Sequence, residues 1–433
     1  MGNKLKLFIY SDCYIYGGSE KLVSFIIKNN IIKDNCQITF AFRNHKIYRE
    51  AIDKEYNQEE KKGVVLLPVP ILSNSTFFYK INLLKIPSFL KKTIKIPFFI
   101  IDKLGFFFIF NLLVQTYLLL KFAPDIVHVN NGGYPGARSC NTMVVAAKLM
   151  RVSTIVYQIN NITFKTNNII SKYVDRYINN HVDCFITASK HSKKKLIEDR
   201  RFDSEKIIQI PNTILEEKVT KSRRDILTEL RIDEADFILC NIGFLLKSKG
   251  QKYLLEALDF IRTQDPLCFE KLNLLLVGNG EEENDLKRCV DFLNLKKQVH
   301  FLGYQSRSVN YLNCCDLFVF PSISGEDMPL VILSAMNLGK TILASDFAGI
   351  REEIEDNKSG VLISTNTETL SQTLATEIMK LYHNKQHLMG DNAKVRYNDL
   401  FSNAIYGKKI LNIYNSFIKT KNLNSKIVER IID

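Results

Sequence analysis

The sequence contains no CxxC pair, and its Cys count is the odd number nine. Most of these thiols lie inside apolar runs. That argues for reduced cysteines in a cytosolic protein rather than a disulfide framework. The seven His are scattered and none stands at ligand spacing from a Cys, so no zinc site is expected. A leader-like stretch is missing too. Residues 4–9 run at once into polar SDCYIYGG, too early for an apolar core of about 7–15 residues. There is no internal repeat and no low-complexity tract. A spanning helix needs roughly 20 apolar residues, and the uncharged run 105–120 falls short of that.

What is present is globular composition with excess positive charge. Of 433 residues, 46% are hydrophobic and 24% charged, which excludes a disordered or fibrous chain. The length predicts two or three domains. The 59 Lys+Arg against 46 Asp+Glu leave a net +13, which calls for an anionic partner: nucleic acid, a phosphorylated substrate or an acidic membrane. No recognition helix or aromatic–basic sheet motif accompanies the charge, so no nucleic acid is expected.

Short apolar runs alternate with amphipathic ones. Strands are expected at 5–10, 38–42, 64–68, 125–129, 154–158, 184–187 and 207–210. A second series follows at 237–242, 272–277, 299–302, 317–320, 341–344 and 360–363. Helical patterns fill gaps such as 19–30, 189–198, 250–263, 281–293, 329–338 and 368–382. Near-continuous apolar strands between helices indicate buried parallel sheets. The expectation is an α/β chain of two Rossmann-like domains facing across a cleft. The first spans 1–212 with an apolar, basic insertion near 71–122, and the second spans 213–395. Residues 396–433 are expected as helices and a polar tail.

Three loops have phosphate-binding character. Gly17 and Gly18 follow the first strand and open a helix, where bare backbone and helix-terminal N–H groups suit an anion. A tight turn that binds nothing has the same sequence. The loop from Gly243 to Gly250 brings Lys247 and Lys249 to a strand end, as cations for a diphosphate or as a solvated basic loop. The third loop runs from Pro321 through Glu326, Asp327 and Met328 to Pro329 and Leu330, with Pro at the helix start. Its amides would face phosphate oxygens. Glu326 would then accept hydrogen bonds from sugar hydroxyls.

At this loop the chain becomes recognisable. Residues 299–305 read VHFLGYQ and 311–363 read YLNCCDLFVFPSISGEDMPLVILSAMNLGKTILASDFAGIREEIEDNKSGVLI. GlyGlySerGlu at 17–20, AspIleValHisVal at 125–129, ThrAlaSerLysHisSer at 187–192, IleProAsn at 210–212, LysGly at 249–250 and ValGlyAsnGly at 277–280 fall in the same order. Over about 1–395 the chain resembles the family 4 retaining glycosyltransferases of GT-B fold. The resemblance implies a nucleotide-sugar donor held mainly by the C-terminal domain, with no metal and no cofactor. Glu326 would hold the donor sugar and Lys249 the diphosphate. The amides after Asp327 would hold the same diphosphate, and Gly18 would close on it. Gly278 belongs to the same loop set, and Gly303 and Tyr304 would lie near the base. His128 would either touch the donor sugar or be a structural strand-end histidine.

Four positions depart from the family pattern. Ser334 stands where the ribose-binding second Glu is usual, and Phe244 where an Arg is, leaving Lys247 to supply charge. Asn160 replaces a His, and Asn130 ends the fourth-strand motif in place of another. These departures make a catalytically degenerate GT-B partner subunit one rival expectation, and the shared fold makes a GT-B sugar-nucleotide epimerase, which would need further acid/base residues, another.

The insertion carries the remaining signal. Residues 77–104 mix six Lys with many apolar residues and a single acid. That composition suits monotopic attachment to an anionic membrane. The expected acceptor is a glycan or lipid-linked glycan in surface polysaccharide or glycolipid synthesis, at the inner face of the cytoplasmic membrane.

Overall fold

The computed structural model describes residues 4–14, 16–384 and 388–432, as backbone alone at 388 and from 419 onward. The chain forms two compact units. The N-terminal unit comprises 1–187, 193–210 and 407–433, and the C-terminal unit 188–192 and 211–406. The division expected at 212/213 is thereby corrected in two places. Residues 188–192 join the second unit. Residues 407–433 join the first instead of forming a separate tail.

In the N-terminal unit the strands are β1 (Leu5–Ser11), β2 (Cys36–Arg43), β3 (Val64–Val69), β4 (Ile126–Asn131), β5 (Thr154–Ile159), β6 (Cys184–Thr187) and β7 (Ile207–Gln209). They pair in parallel in the order β3-β2-β1-β4-β5-β6-β7. Helices cover both faces of the central strands, so even their polar residues lie inside. Every residue of β4 and β5 is buried. Four helices bear on function: α1 (Gly18–Lys28), α2 (Asn74–Leu83), α3 (Ser88–Lys103) and α4 (Phe106–Phe122). The last three are the insertion. Leu118 and Leu119 of α4 enter the core beside Phe8, Val127 and Met143.

The C-terminal unit holds β8 (Phe237–Ile242), β9 (Leu272–Val277), β10 (Val299–Gly303), β11 (Leu317–Phe320), β12 (Thr341–Ser345) and β13 (Val361–Ile363), in the order β10-β9-β8-β11-β12-β13. Its core joins Leu239, Leu274, Leu276 and Val319 to Leu254, Leu258 and Leu374 of the covering helices. Helix α5 (Leu330–Asn337) follows β11, and α6 (Asn403–Ile432) ends the chain. The stretch from 419 expected as a polar tail is helical through Ile432.

Both sheets are doubly wound. Strand order reverses between β1 and β4 in one and between β8 and β11 in the other. At such a switch point the loops leave the strand ends in opposite directions and open a crevice, where α/β sheets bind ligands. The Gly17–Gly18 loop follows β1. The Lys247–Lys249 and Glu326 loops follow β8 and β11.

Candidate active site

The C-terminal unit brings most of the expected residues together. The chain leaves β8 through Gly243 and makes a single tight turn at Lys247–Lys249. It then passes Gly250, whose φ of +72° suits glycine. A Cβ on Gly250 would stand 2.0 Å from the Pro321 carbonyl oxygen, so the two switch-point loops touch backbone to backbone. The Ser248 carbonyl ties them further, accepting from the Ile323 amide at 2.8 Å and from Ser322 Oγ at 3.0 Å. Gly278 serves the loop after β9 in the same way. Its φ is +136°, and a Cβ there would meet the Gly243 carbonyl oxygen at 1.9 Å.

Held by this framework, Lys249 and Glu326 form an ion pair, with side chains 18% and 13% exposed. Burial pulls the Lys249 ammonium down to about 8. The Phe320 ring lies 5.8 Å from the ammonium. The expected roles separated these residues between phosphate and sugar. The geometry places them side by side, 77 positions apart in sequence, because β8 and β11 are neighbours.

Behind the pair, α5 starts at Leu330 with Pro329 as its N-cap. The Leu330 and Val331 amides have no intrahelical acceptor, and the helix dipole gives them partial positive charge. Met328 is buried and fixed by Asn212, whose side-chain amide donates to the Met328 carbonyl at 2.8 Å. Asp327 is buried and accepts from Ser189 Oγ, so its carboxylate braces the loop. Burial raises its pKa. Lys247, Phe244 and Tyr304 are exposed, Tyr304 at 75%. Ser334 donates its hydroxyl to the Leu330 carbonyl at 3.1 Å, so toward a ligand it can only accept.

Three supporting residues lay inside the sequence motifs without a role assigned to them. Ser248 and Gly250 lock the loops, as above. Glu352 accepts from the amides of Lys190 and His191 at 2.8 and 3.2 Å, anchoring the 188–192 segment within this unit. A Gly349-x-x-Glu352 spacing was the only signal for it.

The N-terminal unit holds Gly17, Gly18 and His128, and here two expectations change. The Gly17 amide donates to Glu20 Oε2 at 3.3 Å, and Ser19 Oγ donates to the same oxygen at 2.7 Å. The helix start of α1 thus carries its own carboxylate, which burial pushes toward the neutral form. His128 is not a catalytic residue. It is completely buried, and both ring nitrogens are engaged, with Tyr414 at 2.7 Å and Gln158 at 3.1 Å. The Gln158 amide donates to Asn160, and Asn160 donates to Asn130. Asn130 donates to Ser11 Oγ and to the Ser19 carbonyl. This directional chain fixes the tautomer: Nε2–H donates to Gln158, and Nδ1 accepts from Tyr414. Asn160 and Asn130, two of the four departures from the family pattern, are working members of it.

Comparison with known proteins agrees with this architecture. Residues 222–396 match the family described as Glycosyl transferases group 1. A UDP-Gal:alpha-D-GlcNAc-diphosphoundecaprenol alpha-1,3-galactosyltransferase of Escherichia coli is 29% identical over 266 residues, 59% of this chain and 66% of that protein. A Campylobacter jejuni N,N'-diacetylbacillosaminyl-diphospho-undecaprenol alpha-1,3-N-acetylgalactosaminyltransferase is 35% identical over 34% of this chain and 36% of its own length. The chain thus spans about two thirds of the first relative and about a third of the second. Among solved structures, Anabaena HepE in complex with UDP superposes with a TM-score of 0.70 at 19% identity, covering 95% of this chain and all of that one. In fold the chain is GT-B, and in sequence it resembles the group 1 glycosyltransferases.

Proposed function

We propose that the protein is a retaining glycosyltransferase that moves a sugar from a nucleotide diphosphate donor to a lipid-linked glycan acceptor. The observation that carries this reading is the Lys249–Glu326 pair at the β8/β11 switch point, beside the open N-terminus of α5. A sugar nucleotide has the matching order of groups. Its diphosphate oxygens would accept from the Lys249 ammonium and from the Leu330 and Val331 amides. Its sugar hydroxyls would donate to Glu326.

The chemistry asked of the protein is electrostatic. As the sugar–phosphate bond breaks, negative charge grows on the leaving diphosphate and positive charge on the anomeric centre. Lys249 and the helix amides stabilise the former from fixed positions, at no cost of reorganisation. Retention follows when the acceptor attacks the face that the phosphate leaves. The leaving phosphate can itself take the acceptor proton, so neither a metal nor a protein nucleophile is needed. The names of the two relatives, with UDP-Gal as donor in one and diphospho-undecaprenol acceptors in both, support the donor and acceptor classes. The UDP in HepE supports the nucleotide.

The test offers the purified protein a panel of UDP- and GDP-sugars with polyprenyl-diphosphate-linked sugars as acceptors. Products are followed by mass, and the new linkage by NMR. Transfer with the donor's anomeric configuration kept is expected. Donor binding without transfer to any acceptor would replace this reading with the degenerate-subunit one. Inversion would overturn the mechanism.

A further inference from the structure

Helix α4 is built inside out. Its protein-facing stripe is Phe107, Asn111, Gln115 and Leu118, and it includes both carboxamides of the helix. Asn111 clasps the backbone of Leu72 with both ends of its amide, at 2.9 and 2.8 Å, and Gln115 donates to the Ser139 carbonyl at 2.9 Å. The opposite stripe is Phe106, Phe110, Leu113, Tyr117 and Leu120, all exposed, with Leu113 at 66%. A helix facing water has the reverse order, apolar in and polar out. A helix facing lipid turns its polar groups toward protein.

Helix α3 extends the same surface. None of its 16 residues is buried, and Phe89 and Ile96 are 65% and 53% exposed. It is held in place rather than trailing. The Phe77 ring of α2 stacks on Phe98 at 4.3 Å and on Phe107 at 5.6 Å. Around this apolar surface, residues 71–122 place seven Lys against one acid, Asp102. That carboxylate is already taken by Asn74 and Arg138, at 2.6 and 2.8 Å.

These features choose the occupant. A second copy of the chain would set one lysine-rich face against another. A spanning helix does not fit either. No single helix among the described residues is long and apolar enough, and the α3–α4 pair is bent by 59°. The inner stripe of α4 is also committed to protein, through Leu72, Ser139 and the core beside Phe8 and Val127. We infer that α3 and the outer stripe of α4 lie in the headgroup–acyl boundary of an anionic bilayer, with Lys85, Lys92 and Lys103 on its phosphates. The inference is independent of the reading as a transferase, since it concerns binding alone.

The full-length protein is tested by co-sedimentation with phosphatidylcholine vesicles, with and without about 30 mol% phosphatidylglycerol. Binding is expected only to the anionic vesicles and is expected to weaken with salt. Combining Lys85→Gln, Lys92→Gln and Lys103→Gln should weaken it about 100-fold, since each cation near the surface is worth roughly a factor of five. Combining Phe110→Ser, Leu113→Ser and Tyr117→Ser should abolish it, with circular dichroism and melting temperature kept because these side chains are exposed. Equal binding to neutral vesicles would overturn the inference. So would unchanged binding by the lysine variant, resistance to alkaline extraction from native membranes, or a dimer that the Ser variant dissolves.

Discussion

Acidification from about pH 7 to about pH 5 should weaken the N-terminal unit through His128. Burial favours the neutral imidazole, in which Nε2 donates to Gln158 and Nδ1 accepts from Tyr414. Complete burial lowers its pKa from 6.5 to about 4. The unfolded chain takes the proton first. Stability is therefore whole above about 6.5 and is lost as pH falls toward about 4. A depression of about 2.5 units corresponds to about 3 kcal/mol in the limit, and about 2 kcal/mol of it is gone by pH 5. Buried acids of the same unit push the other way: burial raises Glu20 and Asp175, which therefore lose stability as pH rises. The His128 contribution is isolated by difference. Urea unfolding followed by circular dichroism should show wild type more stable than His128→Gln at neutral pH. That gap should shrink by about 2 kcal/mol at about pH 5. Parallel pH profiles, or an NMR titration of the His128 ring near its ordinary value, would refute the reasoning.

Other expectations concern the C-terminal unit. Lys249→Ala should cost about 100–1,000-fold in turnover, as removal of one preorganised donor does, and near-normal turnover would remove Lys249 from the mechanism. Because the Lys249 ammonium is pulled down to about 8, the wild-type rate should fall as pH rises through that value, whereas Lys249→Arg, if active, should hold its rate. Glu353 is fully buried with neither carboxylate oxygen hydrogen-bonded, and burial, then the charges of Asp327 and Glu352, drive its pKa well up. The wild type should therefore lose stability as pH rises above about 4.5, and Glu353→Gln should unfold at higher urea than wild type at about pH 8. Gly250→Ala should destabilise by about 1–3 kcal/mol, from positive φ and the Pro321 clash, and should lower turnover through the displaced Lys249, both read from unfolding and kinetics of one preparation.

Strand positions were legible because buried parallel strands leave little choice of residue. Runs such as LFVF at β11 have no polar face to misread. The same uniformity hid the role of His128. In β4 every position is buried, so alternation cannot separate a ligand-facing histidine from a core one, and its partners lie 30 and 286 residues away. Distance also hid the meeting of Lys249 with Glu326, which follows from strand order rather than from either loop. Glu20 misled in another way. GlyGlySerGlu reads as a phosphate loop, yet its own buried carboxyl already accepts from the Gly17 amide. The chain end was opaque for a related reason. Local pattern announces a helix, but contacts distant in sequence, such as Tyr414 against His128, say which unit it completes.

The distribution of charge now bears on how donor and membrane divide the work. Within the N-terminal unit, 36 Lys+Arg meet 18 Asp+Glu, a net of +18, while the C-terminal unit holds 23 against 28, a net of −5. If net charge recruited the nucleotide, the unit with Lys249 would be the basic one. It is acidic, so a diphosphate there must be held by short-range geometry: one half-buried ammonium and the amides of a helix start. Such contacts survive salt better than exposed charges do, because screening over about 8–10 Å acts mainly on solvent-separated pairs. The excess on the other unit is mostly exposed and long-ranged, with seven lysines in the insertion alone. On the two proposals above, donor affinity should therefore change little with ionic strength while membrane binding changes steeply, and titrating salt against both in the same protein tests that contrast.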